Sequence, residues 1–188
     1  MIRKHIEEFD LQIKRARFWL KESKNFSNEN TQMFAKFYFL WSAFNSLYNL
    51  EFDEFESESA RIKLIIKLIN ENEANKLIND NSDEIMGFNK PVKDEKHRFL
   101  LKFNHKYEHS IENGTREYNY SDFNKIYSNP ASSFNKKLEA VILTIYQIRN
   151  NLTHGNKDGN YRDIDLVQNS NPIIENLVNL LLEKLGNP

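Results

Sequence analysis

Cysteine is absent from the 188-residue sequence, and glycine and proline are scarce, with five and four residues. Without cysteine the chain can form no disulfide, has no thiolate nucleophile and cannot bind zinc through sulfur. The most apolar segment, FAKFYFLWSAF, is too short to span a bilayer and contains Lys36. The N-terminal segment MIRKHIEEFDLQ has acidic residues where a signal peptide needs an apolar core. We therefore expect a soluble cytoplasmic protein that has no membrane contact.

The chain also lacks a strong net charge, because 26 basic residues nearly balance 27 acidic ones and the formal charge is −1. Such a balance does not indicate nucleic-acid binding, which would need a local basic patch. Two stretches could supply that patch: residues 14–21, with four basic side chains, and residues 90–106, where aromatic residues lie among the charges. The simpler interpretation of each stretch is a solvated helix face.

Apolar residues recur at spacings of three and four, with little strict alternation, which is typical of α-helices. The pattern predicts an all-α chain with helices over residues 2–21, 31–50 and 60–78, another from about residue 133, and a last one beginning at Pro172. We interpret the acidic stretch EFDEFESES as a solvated linker. Residues 83–109 are less regularly helical, and the turn-rich residues 110–133 leave room for one short helix. No repeat and no second domain is evident, so we expect one domain over residues 1–188.

Two polar residues on the helix from residue 133 bear on function. At 100° per residue, Arg149 projects about 20° from Leu138, inside the apolar stripe. An arginine there needs an anionic partner or a wet surface, unless it snorkels so that only the guanidinium reaches solvent. His154 projects about 140° from Arg149, so the two side chains need not touch within one chain. Gly155 indicates a helix end, which makes a capping or surface histidine the simple alternative.

A similar oddity occurs on the second predicted helix. Asn45 lies four residues after Trp41 and three before Tyr48, in the middle of an aromatic stripe. A buried amide needs specific hydrogen-bond partners. Asn45 is therefore either a core residue bonded to backbone or part of a functional site.

These residues resemble the signature of the HEPN domain family. RNNLTHG is similar to the family's Arg-x(4–6)-His motif at its shortest spacing, and FYFLWSAFNSLY is similar to the aromatic helix of the Apea-like and related branches. The two motifs occur in the expected order. The resemblance implies a HEPN-like helical bundle of four to five core helices, with an insertion at about residues 51–133 that matches nothing known.

The resemblance also implies a function, namely a metal-independent endoribonuclease in which two chains place their Arg–His motifs in one composite cleft. RNA supplies its own nucleophile, so cleavage needs only a proton acceptor, a proton donor and a cation, roles that histidine and arginine fill. The expected catalytic residues are Arg149, His154 and Asn150. The expected supporting or substrate-binding residues are Asn45, Asn151 and Lys157.

The expected partners are RNA and a second copy of the chain, together with an antitoxin or defence-system protein, since many HEPN proteins are toxins or antiviral effectors. No cofactor and no metal is expected. His105 and His109 have the i, i+4 spacing of helical metal sites, but the HExxH pattern is absent. Two alternatives stay open: a non-catalytic HEPN module that binds RNA or a nucleotide or only dimerises, and a structural helical protein in which RNNLTHG is merely a helix end.

Overall fold

The computed structural model describes residues 2–29, 31–50, 57–88, 120–153 and 161–186, and within these ranges all regular structure is helical. The helices are α1 (Ile2–Ser23), α2 (Gln32–Tyr48), α3 (Glu58–Ile66), α4 (Glu71–Asp80), α5 (Ser82–Gly87), α6 (Tyr120–Tyr127), α7 (Phe134–Thr153) and α8 (Tyr161–Leu185). The predicted all-α class is confirmed. None of the helices described in these ranges is both long and apolar enough to cross a membrane.

Two helices organise the packing. Helix α2 packs against α1 and α8, while α7 packs against α3, α4 and α6. The predicted apolar stripe of α7 is confirmed, since Leu138, Ile142 and Ile145 are buried. Helix α2 is buried on several sides, because Phe37, Leu40 and most other apolar residues in its centre are buried and the helix contacts α1, α3 and α8. The core therefore passes through α2 and along the inner face of α7.

Helices from the stretch predicted as an insertion add to this core. Ile62 of α3, Leu77 of α4, Ile85 of α5 and Phe123 of α6 are all buried in it. Helices α3, α4 and α6 cover α7, while α5 lies on α8. Helix α6 is the short helix for which the turn-rich stretch left room.

The prediction of one helix over residues 60–78 is wrong, because α3 ends at Ile66 and α4 begins at Glu71. Asn70 causes the restart by forming a capping box. Its Oδ1 accepts from the Glu73 N–H at 3.0 Å, and the Glu73 carboxylate accepts from the Asn70 N–H at 2.8 Å. Glu73 also pairs with Lys184 of α8 at 2.8 Å. The bond to Lys184, followed by the Asn70 N–H, lowers the pKa of the Glu73 carboxyl.

The interpretation of EFDEFESES as a solvated linker is also wrong for its last three residues, while residues 51–56 lie outside the described ranges. Ser57 caps α3 by accepting from the Ala60 N–H at 3.3 Å. Glu58 is the first residue of that helix. An acidic residue in the first turn is stabilised by the helix dipole. The last residues of the acidic stretch therefore cap and begin α3.

Pro172 does not begin the last helix, as predicted, but lies within α8, which starts at Tyr161. Proline lacks the N–H that would bond the carbonyl of Gln168, four residues earlier. The Asn28 side chain replaces that donor, with Nδ2 at 3.1 Å from the Gln168 carbonyl oxygen. Gln168 Nε2 donates back to the Asn28 carbonyl at 3.1 Å, and Asn171 Nδ2 donates to Asn28 Oδ1 at 2.7 Å. The loop between α1 and α2 thus supplies the hydrogen-bond donor that Pro172 lacks, and α8 continues through the proline.

This contact yields a stability prediction. Asn28→Ala should lower the free energy of unfolding by roughly 1–2 kcal/mol, because Gln168 and the buried Asn171 lose hydrogen-bond partners. In a Pro172→Ala background the cost should be smaller by about 0.5 kcal/mol or more, since the introduced alanine supplies the missing N–H to Gln168. Urea unfolding of the four proteins measures both numbers.

Asn25→Ala is the matched control, because Asn25 lies in the same loop and its side chain donates to Glu22 at 3.1 Å. It should change stability by less than about 0.5 kcal/mol. Equal costs of Asn28→Ala in the two backgrounds would show that the loop does not compensate for Pro172.

Candidate functional site

The centre of the site is Arg149, on the last turns of α7. Its Nη1 donates to Asn150 Oδ1 at 2.9 Å and lies 3.6 Å from Glu58 Oε2. The Arg149 side chain is 26% exposed and the Glu58 side chain 24%, so this is a half-buried ion pair between α7 and α3. Of the explanations for an arginine in an apolar stripe, the structure supports an anionic partner over a guanidinium that merely reaches solvent.

Glu58 also contacts α2, through its second carboxylate oxygen. The hydroxyl of Tyr48, which is fully buried, donates to Glu58 Oε1. Burial, and then the hydrogen bond to this carboxylate and its negative charge, raise the pKa of the Tyr48 phenol well above its usual range. The positive charge of Arg149 opposes this shift only in part. One carboxylate therefore joins α2, α3 and α7.

A second phenol, Tyr146, lies one turn before Asn150 on α7. Its ring stacks on Trp41 of α2, with centroids 6.1 Å apart and an interplanar angle of 24°. Burial is the main cause that raises the pKa of Tyr146, while a hydrogen bond with Asn150 lowers it. The Trp41 indole N–H is buried and has no hydrogen-bond partner among the described residues. The Trp41–Tyr146 stack thus holds α2 and α7 together directly beside the ion pair.

Asn45 belongs to a neighbouring polar row rather than to the ion pair itself. Its Oδ1 accepts from Asn49 Nδ2, and Asn49 Oδ1 accepts from Arg61 Nη1. Arg61 follows Glu58 by three residues, so both lie on the same side of α3. The partner of Asn45 is therefore a side chain of its own helix, linked to α3, rather than backbone.

The remaining predicted site residues are not placed. His154 and Lys157 lie outside the described residues, and so do His105 and His109. Asn151 is on α7, but its side chain is outside the described part of the chain. The described chain reaches Thr153, whose Oγ1 donates to the Arg149 carbonyl at 2.9 Å. The relation of Arg149 to His154 thus stays a prediction.

Sequence reasoning missed the residues that surround Arg149. A signal existed for two of them. An arginine in an apolar stripe needs an acid, Glu58 lies in the acidic run after α2, and Tyr146 precedes Arg149 by the three residues that place both on one face. No signal identified Glu58 within that run, since the choice depends on how α3 docks. Arg61 and Asn49 had no signal, because their contact spans two helices.

Chemically, the described site suits an anion better than a cation. It combines two arginines with one carboxylate, and adds an amide, two phenols and an unpaired indole N–H. Among the described residues, no group of three or more possible metal ligands occurs. Comparisons with protein-family models, with curated proteins and with solved structures find no match for this chain.

The ion pair generates a prediction about coupling. Arg149→Met and Glu58→Gln should each destabilise the protein by roughly 1–3 kcal/mol, since each leaves a half-buried charged partner unpaired. The double variant should lose less than the sum of the two, with a coupling energy of about 0.5–2 kcal/mol. Urea unfolding of the complete cycle measures this coupling.

The Lys63–Glu139 pair provides the control cycle. Its atoms are 3.7 Å apart, and its side chains are more exposed, at 48% and 35%. Its coupling should stay below about 0.5 kcal/mol. Strict additivity of Arg149→Met and Glu58→Gln would mean that the two side chains do not interact in solution.

The raised tyrosine pKa values predict an effect at alkaline pH. In the unfolded chain a tyrosine loses its proton near pH 10, whereas folded Tyr48 and Tyr146 hold theirs to higher pH, because burial raises the pKa of both. The folded state then binds more protons, so the free energy of unfolding falls as pH rises above about 10, by up to roughly 1.4 kcal/mol per pH unit for each tyrosine. Below about pH 10 neither tyrosine makes the free energy of unfolding depend on pH.

Tyr48→Phe should remove one tyrosine's share of this slope, as measured by urea unfolding between pH 8 and 11 at roughly half-unit steps. Tyr38→Phe, at an exposed tyrosine, is the control and should leave the slope unchanged. A slope in Tyr48→Phe equal to that of the wild type would contradict the assignment to Tyr48.

Proposed function

We propose that the chain is a HEPN-type, metal-independent endoribonuclease that acts as a homodimer, in antiviral defence or a toxin–antitoxin system. One observation carries the proposal: Arg149 and Asn150 lie together, half-buried, among polar side chains from α2 and α3, and four residues separate Arg149 from His154 in the sequence. A guanidinium stays charged at every physiological pH, and its planar set of donors matches the oxygens of a phosphate.

The proposed reaction uses the RNA's own nucleophile. The ribose 2′-oxygen attacks the adjacent phosphorus, the bond from phosphorus to the 5′-oxygen breaks, and the products are a 2′,3′-cyclic phosphate and a 5′-hydroxyl. One imidazole accepts the proton of the 2′-hydroxyl, and a second, protonated imidazole gives a proton to the 5′-oxygen. Since each chain contributes one His154, a two-fold dimer supplies the pair. Arg149 stabilises the charge on the phosphorane.

Glu58 is a positioning residue in this scheme. Among the described residues the contacts of Arg149 use Nη1 alone, and a guanidinium has five N–H donors. The carboxylate and the Asn150 amide therefore hold Nη1 of the guanidinium, and the other donors can address a phosphate. Holding a flexible side chain in its productive orientation before substrate arrives lowers the cost of binding the transition state.

A second candidate function is a HEPN module that binds RNA or a nucleotide, or only dimerises, without catalysis. The same ion pair favours it, because Glu58 neutralises Arg149 and would account for an arginine in an apolar stripe on structural grounds alone. The two candidates differ in whether RNA is cut.

Incubation of the purified chain with a panel of single-stranded and structured RNAs, in the presence of a chelator, tests the proposal. The wild type should cleave and leave 2′,3′-cyclic phosphate ends, detectable by mass spectrometry. Arg149→Ala and His154→Ala should each lower the rate by roughly a hundredfold or more, and Asn150→Ala by less. Lys67→Ala, an exposed lysine on the loop after α3, should leave the rate unchanged.

Glu58→Gln distinguishes a role of Glu58 in positioning Arg149 from a role in folding. The substitution should lower the cleavage rate at saturating RNA, while the helical circular dichroism stays unchanged. Ultracentrifugation should show a dimer. RNA that stays intact with wild type and variants alike would contradict the nuclease and leave the non-catalytic HEPN module and the structural helical protein. A monomer that cleaves would contradict the composite site.

A further inference from the structure

A row of four aromatic side chains lies where α1 meets α2, on the side away from the Arg149 site. Phe18 contacts Trp19 with ring centroids 5.0 Å apart, Trp19 contacts Phe39 at 5.5 Å, and Phe39 stacks on Phe26 at 5.1 Å with an interplanar angle of 18°. Phe18 is 53% exposed, and the other three rings are each half-buried. We refer to Phe18, Trp19, Phe39 and Phe26 as the aromatic row.

Basic side chains surround the exposed end of this row. Lys14, Arg15 and Lys21 stand four residues before, three before and three after Phe18, so they share its face of α1, and all three are exposed. From residue 14 to residue 24 the sequence has five basic residues and one acidic residue, Glu22. Glu22 accepts a hydrogen bond from the Asn25 amide at 3.1 Å. In a chain of net charge −1, positive charge is therefore concentrated here.

The helix dipole and packing against the core do not account for all of these residues. A basic residue near the end of a helix is favoured by the helix dipole, which covers Lys21 but not Lys14 or Arg15 in the middle of α1. Burial against α2 explains Trp19, whereas Phe18 leaves about half of its surface in water. The core-facing residues of α1, among them Ile13 and Ala16, are a separate, fully packed set.

We propose that this surface binds single-stranded RNA, with bases stacking on the aromatic row and phosphates contacting Lys14, Arg15 and Lys21. Aromatic rings bind unpaired bases through their faces, and lysine and arginine bind the backbone, which is the combination that single-strand binding uses. The choice of RNA over DNA rests on the proposed function. The proposal that this surface binds a single-stranded nucleic acid rests only on its aromatic and basic residues.

The surface is distinct from the Arg149 site. Phe39 and Trp41 are two residues apart on α2, which is about 200° around the helix. Phe39 therefore faces α1, while Trp41 packs on Tyr146 of α7. An RNA segment on the aromatic row would therefore lie outside the Arg149 site.

A second copy of the chain fits this surface less well. Pairing the same face of two chains would bring its basic residues together, and like charges across an interface are repulsive. An anionic membrane would need a larger apolar face than α1 offers, since Leu11 and Phe18 are its two large apolar side chains exposed within the described part. Charge and stacking together favour the nucleic acid.

The test measures binding in an Arg149→Ala background, which should not cleave, with a fluorescently labelled single-stranded RNA whose anisotropy is followed. Phe18→Ala should weaken binding roughly tenfold to a hundredfold, since one stacked base is lost. Replacing Lys14, Arg15 and Lys21 together by alanine should reduce the slope of log K against log salt by about 2. Stacking on Trp19 should quench its fluorescence, and Trp19→Phe should remove that quench.

Met86→Ala and Lys67→Ala are the matched controls, because Met86 is 56% exposed and Lys67 is exposed, and neither belongs to the surface. Both should bind as the parent does. Circular dichroism checks that every variant keeps its helices.

The outcomes separate this inference from the proposed function. Binding that depends on Phe18 and the basic residues supports the surface even if the wild type cuts no RNA. Cleavage by the wild type, with binding that ignores these substitutions, overturns the surface and leaves the nuclease. The inference also fails if the protein binds anionic lipid vesicles but no RNA, or if Phe18→Ala converts a dimer to monomers without changing RNA affinity.

Discussion

A single carboxylate determines how the site-bearing helices meet. Arg149 projects from the apolar side of α7, where a charge without a partner would be strongly unfavourable. Glu58 meets that requirement with one oxygen and binds the Tyr48 hydroxyl with the other. The acidic partner of Arg149 is the first residue of α3, and the Ser57 side chain caps the helix directly before it. Beyond the ion pair, α3 covers α7 and buries Ile62, Ile65 and Ile66 in the core.

The charge of the site follows from the same contacts. Arg61 lies one turn after Glu58 and binds Asn49, so among the described residues two guanidinium groups share one side of α3 and α7 with one carboxylate. Burial opposes ionisation of the phenols on either side. The described part of the cluster therefore has more positive than negative charge. An anionic ligand gains from that imbalance, and a metal cation does not.

Features that depend on residues close together in the sequence were easier to predict than those that depend on residues far apart. The helical class and the stripe of α7 follow from a local period, so the position of Arg149 was predictable from its neighbours alone. The break between α3 and α4 was also local, encoded in Asn70 and Glu73, but apolar residues on both sides concealed it. Pro172 could not be placed correctly, since its compensating partner, Asn28, precedes it by more than 140 residues. The acid that Arg149 needs was predictable as a type of residue, whereas its position depended on tertiary packing.

Helix α2 is rich in aromatic residues on two faces, one packed on α7 and the other beside α1. An aromatic side chain can fill a core on one face and offer a flat ring to solvent or to a base on another. Trp41 serves the first role toward α7, and Phe39 belongs to the row beside α1. In the proposed function, an RNA long enough to reach from the row to the cleft is tethered by the row, so its local concentration at the cleft no longer depends on the affinity of the cleft. The cleft can then hold the ground state weakly and reserve its contacts for the transition state, which is the condition under which binding accelerates a reaction.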